Sequence, residues 1–414
     1  MLKEVFPRVH GRYSSLPVLG PTLDGFTQFL VSAGYPRLPL RQHVRTTRRI
    51  DERLRQRGCR AIAEITRENL HVCAPPVGRS QDDVGAAATV RLLERYLDVR
   101  GLLPPFGPPT PVERKLDDYA VYLRQVRGLA RGTIEDHQTT AAQFIHHVDP
   151  AGKLSALLQV TAADIEEFLR CSGSRLGRGS MQHVVSQLRA FLRFLAARGE
   201  APIGLDSRID TPRLYRGEQL PRALPWETVR AFLRVIDRAT PIGRRDYAMF
   251  LLIATYGLRT CDVVGLQLED LAWRARQLNV RQQKVAKPLL LPLTDAVGDS
   301  LLAYLRHGRP PVPFRQVFVR HRAPAGVLKP TAVTEAFQAW SRRSDLKIPF
   351  QGPHCLRHSY AVHLLREGAS VKTIGDLLGH RSTESTCVYL RLAVEDLRDV
   401  ALSLPVCDGP EVRP

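Results

Sequence analysis

Apolar residues recur every three or four positions along most of this chain, and the places where that period fails mark its joints. Between Val112 and about Arg198 the period is helical throughout. Leu116, Tyr119, Leu123 and Val126 share one face. Thr133 is positioned to cap a helix carrying Ile134, Ala141, Phe144 and Ile145, and Thr161 to cap one carrying Ile165, Phe168 and Leu169. A last helix carries Val184, Leu188, Phe191, Leu192 and Leu195, with Arg189 and Arg193 on another side. Four or five helices in so short a span predict a small bundle.

From Pro225 the helical period returns over 226–237, 244–256 and 260–267, then changes. Gln277 to Gln282 and Pro288 to Leu293 read as two short strands, with Lys284 in or near the turn between them. Helices resume at 295–306, 331–343, 355–366, 370–378, 383–389 and about 394–402. The fold class expected is mostly α with a small antiparallel β-sheet. Ahead of the bundle, residues 1–105 hold a basic helical stretch from about Arg41 to Arg57 and a second helical pattern from about Asp83 to Val99. The prolines at 104, 105, 108 and 109 remove backbone donors and fix φ, so they mark a boundary. The expected organisation is an N-terminal extension (1–105), a helical domain (112–205), a basic linker (206–224), a C-terminal domain (225–405) and a tail (406–414). The linker carries Arg208, Arg213, Arg216 and Arg222, a composition suited to following a phosphate backbone or to an ordinary solvated connection.

Charge narrows the classes of partner. The 414 residues carry a formal net charge of +19, and 44% of them are hydrophobic, so cores can form around a strongly basic surface. Such a balance points to a polyanion, most often nucleic acid. No apolar run approaches the roughly 18–20 residues that span a bilayer, and the N-terminus lacks a signal-peptide core, so no membrane role is expected. Seven scattered cysteines, an odd count without a CxxC pair, fit reduced thiols in a cytoplasm rather than a zinc site. His354 and His358 lie one helical turn apart. No Glu stands between them as a metalloprotease would need, and Arg357 would repel a cation, so no metal is expected there.

The chemistry sits in the C-terminal third. Arg259, Lys284, His354, Arg357, His380 and Tyr389 form an ordered set of two permanent cations, a lysine, two imidazoles and a phenol, with Asp262 just after the first arginine. Each motif alone is weak: Arg259 reads equally as a helix-surface charge, Lys284 as a hairpin tip and Tyr389 as a surface aromatic. Their order is the signal. His354 and Arg357, three apart, point to one place from a single helical turn. Tyr256, Tyr304 and Tyr360 are competing phenols, and Lys287 competes with Lys284.

Three stretches carry a family resemblance: Tyr256-Gly257-Leu258-Arg259-Thr260-Cys261-Asp262, then His354-Cys355-Leu356-Arg357-His358-Ser359-Tyr360-Ala361, and Leu377-Leu378-Gly379-His380 followed by Tyr389. They resemble the boxes of the tyrosine recombinase (phage integrase) family, with a flavour of its transposon-encoded members. The likeness covers about residues 112–405. Val285 stands where many members have Gly after the lysine. The resemblance implies a SAM-like core-binding domain and a catalytic domain that clamp duplex DNA. It also implies a tetramer on two sites, formed alone or with sister recombinases. Site-specific recombination for integration or transposition would pass through a 3′-phosphotyrosine, without cofactor or metal. Tyr389 would be the nucleophile. Arg259 and Arg357 would hold the phosphate. Lys284 would protonate the 5′-oxygen. His354 would assist proton transfer near the tyrosine, and His380 would donate a hydrogen bond to the phosphate. The alternatives are a non-catalytic DNA-binding relic, and a type IB topoisomerase sharing the chemistry. Beyond Tyr389, the apolar stripe Val394, Leu397, Val400, Ala401 and Leu404 reads as a short helix that packs on its own domain or docks into a neighbouring protomer.

Overall fold

The computed structural model describes residues 1–74, 81–104, 108–213, 221–282, 288–380 and 382–392. Lys284, Lys287, Arg216 and the tail stripe from Val394 to Leu404 lie outside these residues. The chain forms two compact units: Met1–Leu103 together with Gln219–Pro414, and Pro104–Glu218.

The unit Pro104–Glu218 holds four α-helices, Pro111–Gln125, Arg131–Val148, Ala162–Gly173 and Arg178–Ala196. Their apolar faces meet in a core that includes Tyr119, Leu123, Phe144, Phe168, Leu188 and Phe191. Thr161 caps its helix in a reciprocal box with Asp164, as its sequence position predicts. Thr133 does not cap: its helix already begins at Arg131, with Ala130 at the N-cap. A threonine within the first turn of a helix has the same sequence signature as one just before it, which is why the two are confused. The start of the arginine-rich connection is held against this bundle. Gln182 donates to the carbonyl of Pro212 at 2.7 Å, Arg189 donates to that of Ile209, and Ile209 is buried.

The other unit has three apolar centres. The N-terminal helices Leu23–Ser32, Arg37–Gln56, Arg67–Val72 and Gln81–Val99 enclose Phe26, Val44, Ile50, Leu54, Leu93 and Leu97. In helix Arg37–Gln56 the buried positions Leu40, Val44, Thr47, Ile50, Asp51 and Leu54 follow the 3–4 spacing of one face. Buried Asp51 accepts from the backbone N–H groups of Val18 and Leu19 at 3.0 and 2.7 Å, fixing the preceding segment on that helix. The largest centre packs helix Pro241–Tyr256, buried almost all round, between helices Trp226–Val235, Asp295–His307 and Pro330–Arg343. A three-stranded antiparallel sheet flanks it: β1 (Leu271–Ala272), β2 (Gln277–Arg281) and β3 (Pro288–Pro292). The predicted pair is present, with Arg281 opposite Pro288 at the end where the connecting segment leaves. Strand β1 is too short to show any period in sequence. A small third centre joins Ala361, Val362, Ile374, Leu378 and Tyr389.

Candidate active site

Two glycines in left-handed conformation build the frame of the site. Gly257 ends helix Pro241–Tyr256 at φ 63°, and Gly379 ends helix Val371–Leu378 at φ 62°. A β-carbon on Gly257 would come within 2.5 Å of Leu378 and 2.8 Å of Tyr360; one on Gly379 would meet the Gln282 side chain at 2.1 Å. Only glycine takes this backbone at this proximity without strain. The two turns therefore approach closely, and each offers its carbonyl to an arginine from elsewhere.

Arg357 sits in the first turn of helix His354–Arg366 and is 2% exposed. It donates to the carbonyl of Gly257, to that of Leu378 at 2.7 Å, and to Nε2 of His380 at 3.1 Å. Burial, and then neighbouring Arg259, push its pKa down to about 10, which leaves it charged at neutral pH. Arg259 is the N-cap of helix Thr260–Gly265 and donates from Nη2 to the carbonyl of Gly379 at 3.3 Å. Its Nη1 lies 3.9 Å from the buried carboxylate of Asp262 and is itself buried without a hydrogen-bond partner among the described residues. A buried guanidinium N–H left unmade is costly unless a ligand supplies an acceptor.

His380 uses both ring nitrogens within the protein. Arginine only donates, so Nε2 accepts from Arg357, and the proton lies on Nδ1, 2.8 Å from Oγ1 of Thr386. Burial and the two arginines push its pKa down to about 4, so it is neutral at physiological pH. As placed here, His380 supports Arg357 and has no ring N–H left for an anion. Tyr389 lies in the short 3₁₀ segment Val388–Leu392, 3% exposed, its ring stacked 6.3 Å from that of His380. Burial raises its pKa, opposed by Arg357 and Arg259.

The phenol's partner is His358, which the predicted set of six does not include. Nδ1 of His358 is 2.9 Å from the Tyr389 hydroxyl. His354, one turn earlier and exposed, stands edge-on to His358 with ring centres 4.6 Å apart. The i, i+4 spacing of the two imidazoles was visible, but which of them reaches the phenol depends on where the chain returns after Gly379. Lys284 lies outside the described residues. Gln282, two positions before it, is buried against Gly379, so strand β2 ends at the site. Two of the three competing phenols are engaged elsewhere: Tyr256 donates to the carbonyl of Pro292 at 2.6 Å, and Tyr304 lies wholly buried in the main core.

The phage integrase family model matches residues 222–396, and the model for the phage integrase N-terminal SAM-like domain matches residues 116–199. A putative integrase/recombinase of Sinorhizobium fredii, y4rA, is 32% identical over 401 residues, covering 94% of this chain and 96% of its own. The tyrosine recombinase XerD of Lacticaseibacillus casei is 30% identical, covering 68% of this chain and 94% of its own. Among solved structures, a lambda integrase tetramer bound to a Holliday junction shares the fold, with a TM-score of 0.51, 17% identity, and coverage of 75% of this chain and 88% of that one. Fold and site together define an enzyme that cuts and rejoins DNA strands. The chain belongs to the phage integrase family of tyrosine recombinases, and is a site-specific DNA recombinase.

Proposed function

We propose that Tyr389 attacks the scissile phosphodiester and becomes joined to the 3′-phosphate, while Arg259 and Arg357 hold the non-bridging oxygens and Lys284 protonates the departing 5′-oxygen. The observation that carries this reading is the convergence of both arginines, His380 and the Tyr389 phenol on the turns at Gly257 and Gly379. Nη1 of Arg259, which makes no hydrogen bond among the described residues, is the donor that a phosphate oxygen would satisfy. His354 assists proton transfer from the exposed first turn of its helix, and His380, through its Nε2, holds Arg357 in place for the phosphate. The bond energy stays in the phosphotyrosine, so a free 5′-hydroxyl can reverse the step without ATP. A nicked suicide duplex, whose cut end diffuses away, tests this. The wild-type protein accumulates a covalent adduct, and Tyr389→Phe binds the duplex but forms none.

The same reading extends to assembly. The protein works on duplex DNA in a bacterial cytoplasm as a tetramer across two sites, alone or with sister recombinases, in the movement of a mobile element. The lambda integrase tetramer of like fold supports this. The bundle at 112–205, the linker at 206–224 and the domain at 225–405 are its core-binding, connecting and catalytic parts. The stripe Val394 to Leu404 docks into a neighbouring protomer. Helix Arg37–Gln56 gives residues 1–105 a second DNA contact: Arg37, Arg45, Arg48, Arg49 and Arg55 are exposed on it, and Glu52 is the one exposed acid along it.

A further inference from the structure

His358 belongs to none of the roles above, yet it touches the reacting atom. Its Nδ1 lies 2.9 Å from the Tyr389 hydroxyl, and the same ring lines a cleft of about 340 Å³ with Pro221, Arg222, Phe350, His354 and Val388. One imidazole therefore stands between a buried phenol and an open cleft. Resting on the assignment of Tyr389 as nucleophile, we propose that His358 is the proton acceptor for Tyr389. It takes the phenolic proton at Nδ1 and passes a proton from Nε2 into the cleft. In strand cleavage the O–H bond of Tyr389 breaks as its oxygen joins phosphorus. The P–O5′ bond breaks, and the leaving oxygen takes its proton from the general acid. Religation runs the same steps backwards: protonated His358 returns a proton to the departing phenol.

The surroundings suit this role. The groups facing His358 are His354 and Arg357 on its own helix, His380 after helix Val371–Leu378, Arg222 on the segment entering the domain, and the Tyr389 phenol. Four are basic and none is a carboxylate. With burial, which is the larger effect, they push the imidazole pKa down to about 4. The ring is thus neutral at working pH, with Nδ1 able to accept. When the phosphate brings negative charge beside it, its affinity for a proton rises. The phenol becomes a far stronger acid as its oxygen bonds to phosphorus, so a weak base suffices at that moment. His354, exposed at the helix start, has the cleft before it, and His358 stands at the phenol.

The test is single-turnover adduct formation by the full-length protein on a nicked suicide duplex. In His358→Asn the amide oxygen replaces Nδ1 as an acceptor but cannot carry a proton. We expect it to bind DNA as the wild type does and to form adduct about 100-fold more slowly. In His358→Ala, added imidazole should restore part of the rate, with a pH dependence following the added imidazole's own titration. His354→Ala should show no such rescue. A wild-type rate in His358→Asn, or rescue confined to His354→Ala, overturns the proposal. If His358→Ala does not fold, His358→Asn decides alone. Tyr389→Phe runs beside them: an adduct there means that the nucleophile itself was misassigned, an outcome distinct from failure of the His358 role.

Discussion

Arginine serves two regions of this protein, and exposure separates its two uses. On helix Arg37–Gln56, Arg37, Arg45, Arg48, Arg49 and Arg55 lie exposed to solvent, away from the core. In the site Arg357 is 2% exposed and fixed by two carbonyls and an imidazole, while Arg259 rests on Gly379 and Asp262. The first arrangement attracts any polyanion and selects no geometry. The second has lost its rotamer freedom and solvent before the substrate arrives, so its donors are worth more to a charge that builds in the transition state. The same residue type should therefore answer quite differently to substitution in the two places.

The largest difference is expected in the site. Arg357→Lys should lower adduct formation about 1,000-fold and Arg259→Lys about 100-fold, since an ammonium cannot span two carbonyls and a phosphate as a guanidinium does. Rapid-quench measurement at saturating DNA checks both, and a loss below tenfold at Arg357 would erase the contrast. On the helix, replacing Arg45, Arg48 and Arg49 by Ala should reduce the slope of log affinity against log salt by roughly 3, about 0.9 for each phosphate contact removed. An unchanged slope would leave that face merely solvated.

A smaller effect concerns pH. His321, His358 and His380 each have a pKa pushed down to about 4, first by burial and then by nearby cations. Their folded-state pKa lies below the unfolded value of about 6.5. The unfolded chain therefore takes up protons that the folded one refuses. Stability is fully present above about pH 6.5 and declines as pH falls toward 4. Thermal unfolding followed across that window should show the decline, and His321→Gln, away from the site, should flatten it. The smallest expected effect is none. Excess EDTA should leave cleavage unchanged, because guanidinium and ammonium groups already carry the charge that a metal would supply.

Much of this was legible in the sequence, and the reasons for the rest are physical. Helices such as Arg37–Gln56 and Arg178–Ala196 show because their burial follows a 3.6-residue period. The site residues show because paired arginines, histidines and a tyrosine in fixed order have little packing purpose. What stays hidden is pairing across long separations. Nothing local to Gly257 says that its carbonyl faces Arg357, 100 residues later, nor does the stretch around His358 say that Tyr389 returns to its Nδ1, 31 residues on. The short helices near the N-terminus, such as Arg67–Val72, carry too few turns to show a period. Their core forms by contacts that only the fold creates.

The central claim is that one phenol carries the DNA, and mapping the covalent link tests it most directly. The wild-type adduct on a suicide duplex is digested and the DNA-bearing peptide sequenced by mass spectrometry. The account predicts the phosphodiester linkage on Tyr389 alone. Linkage on Tyr360 or another tyrosine would contradict it.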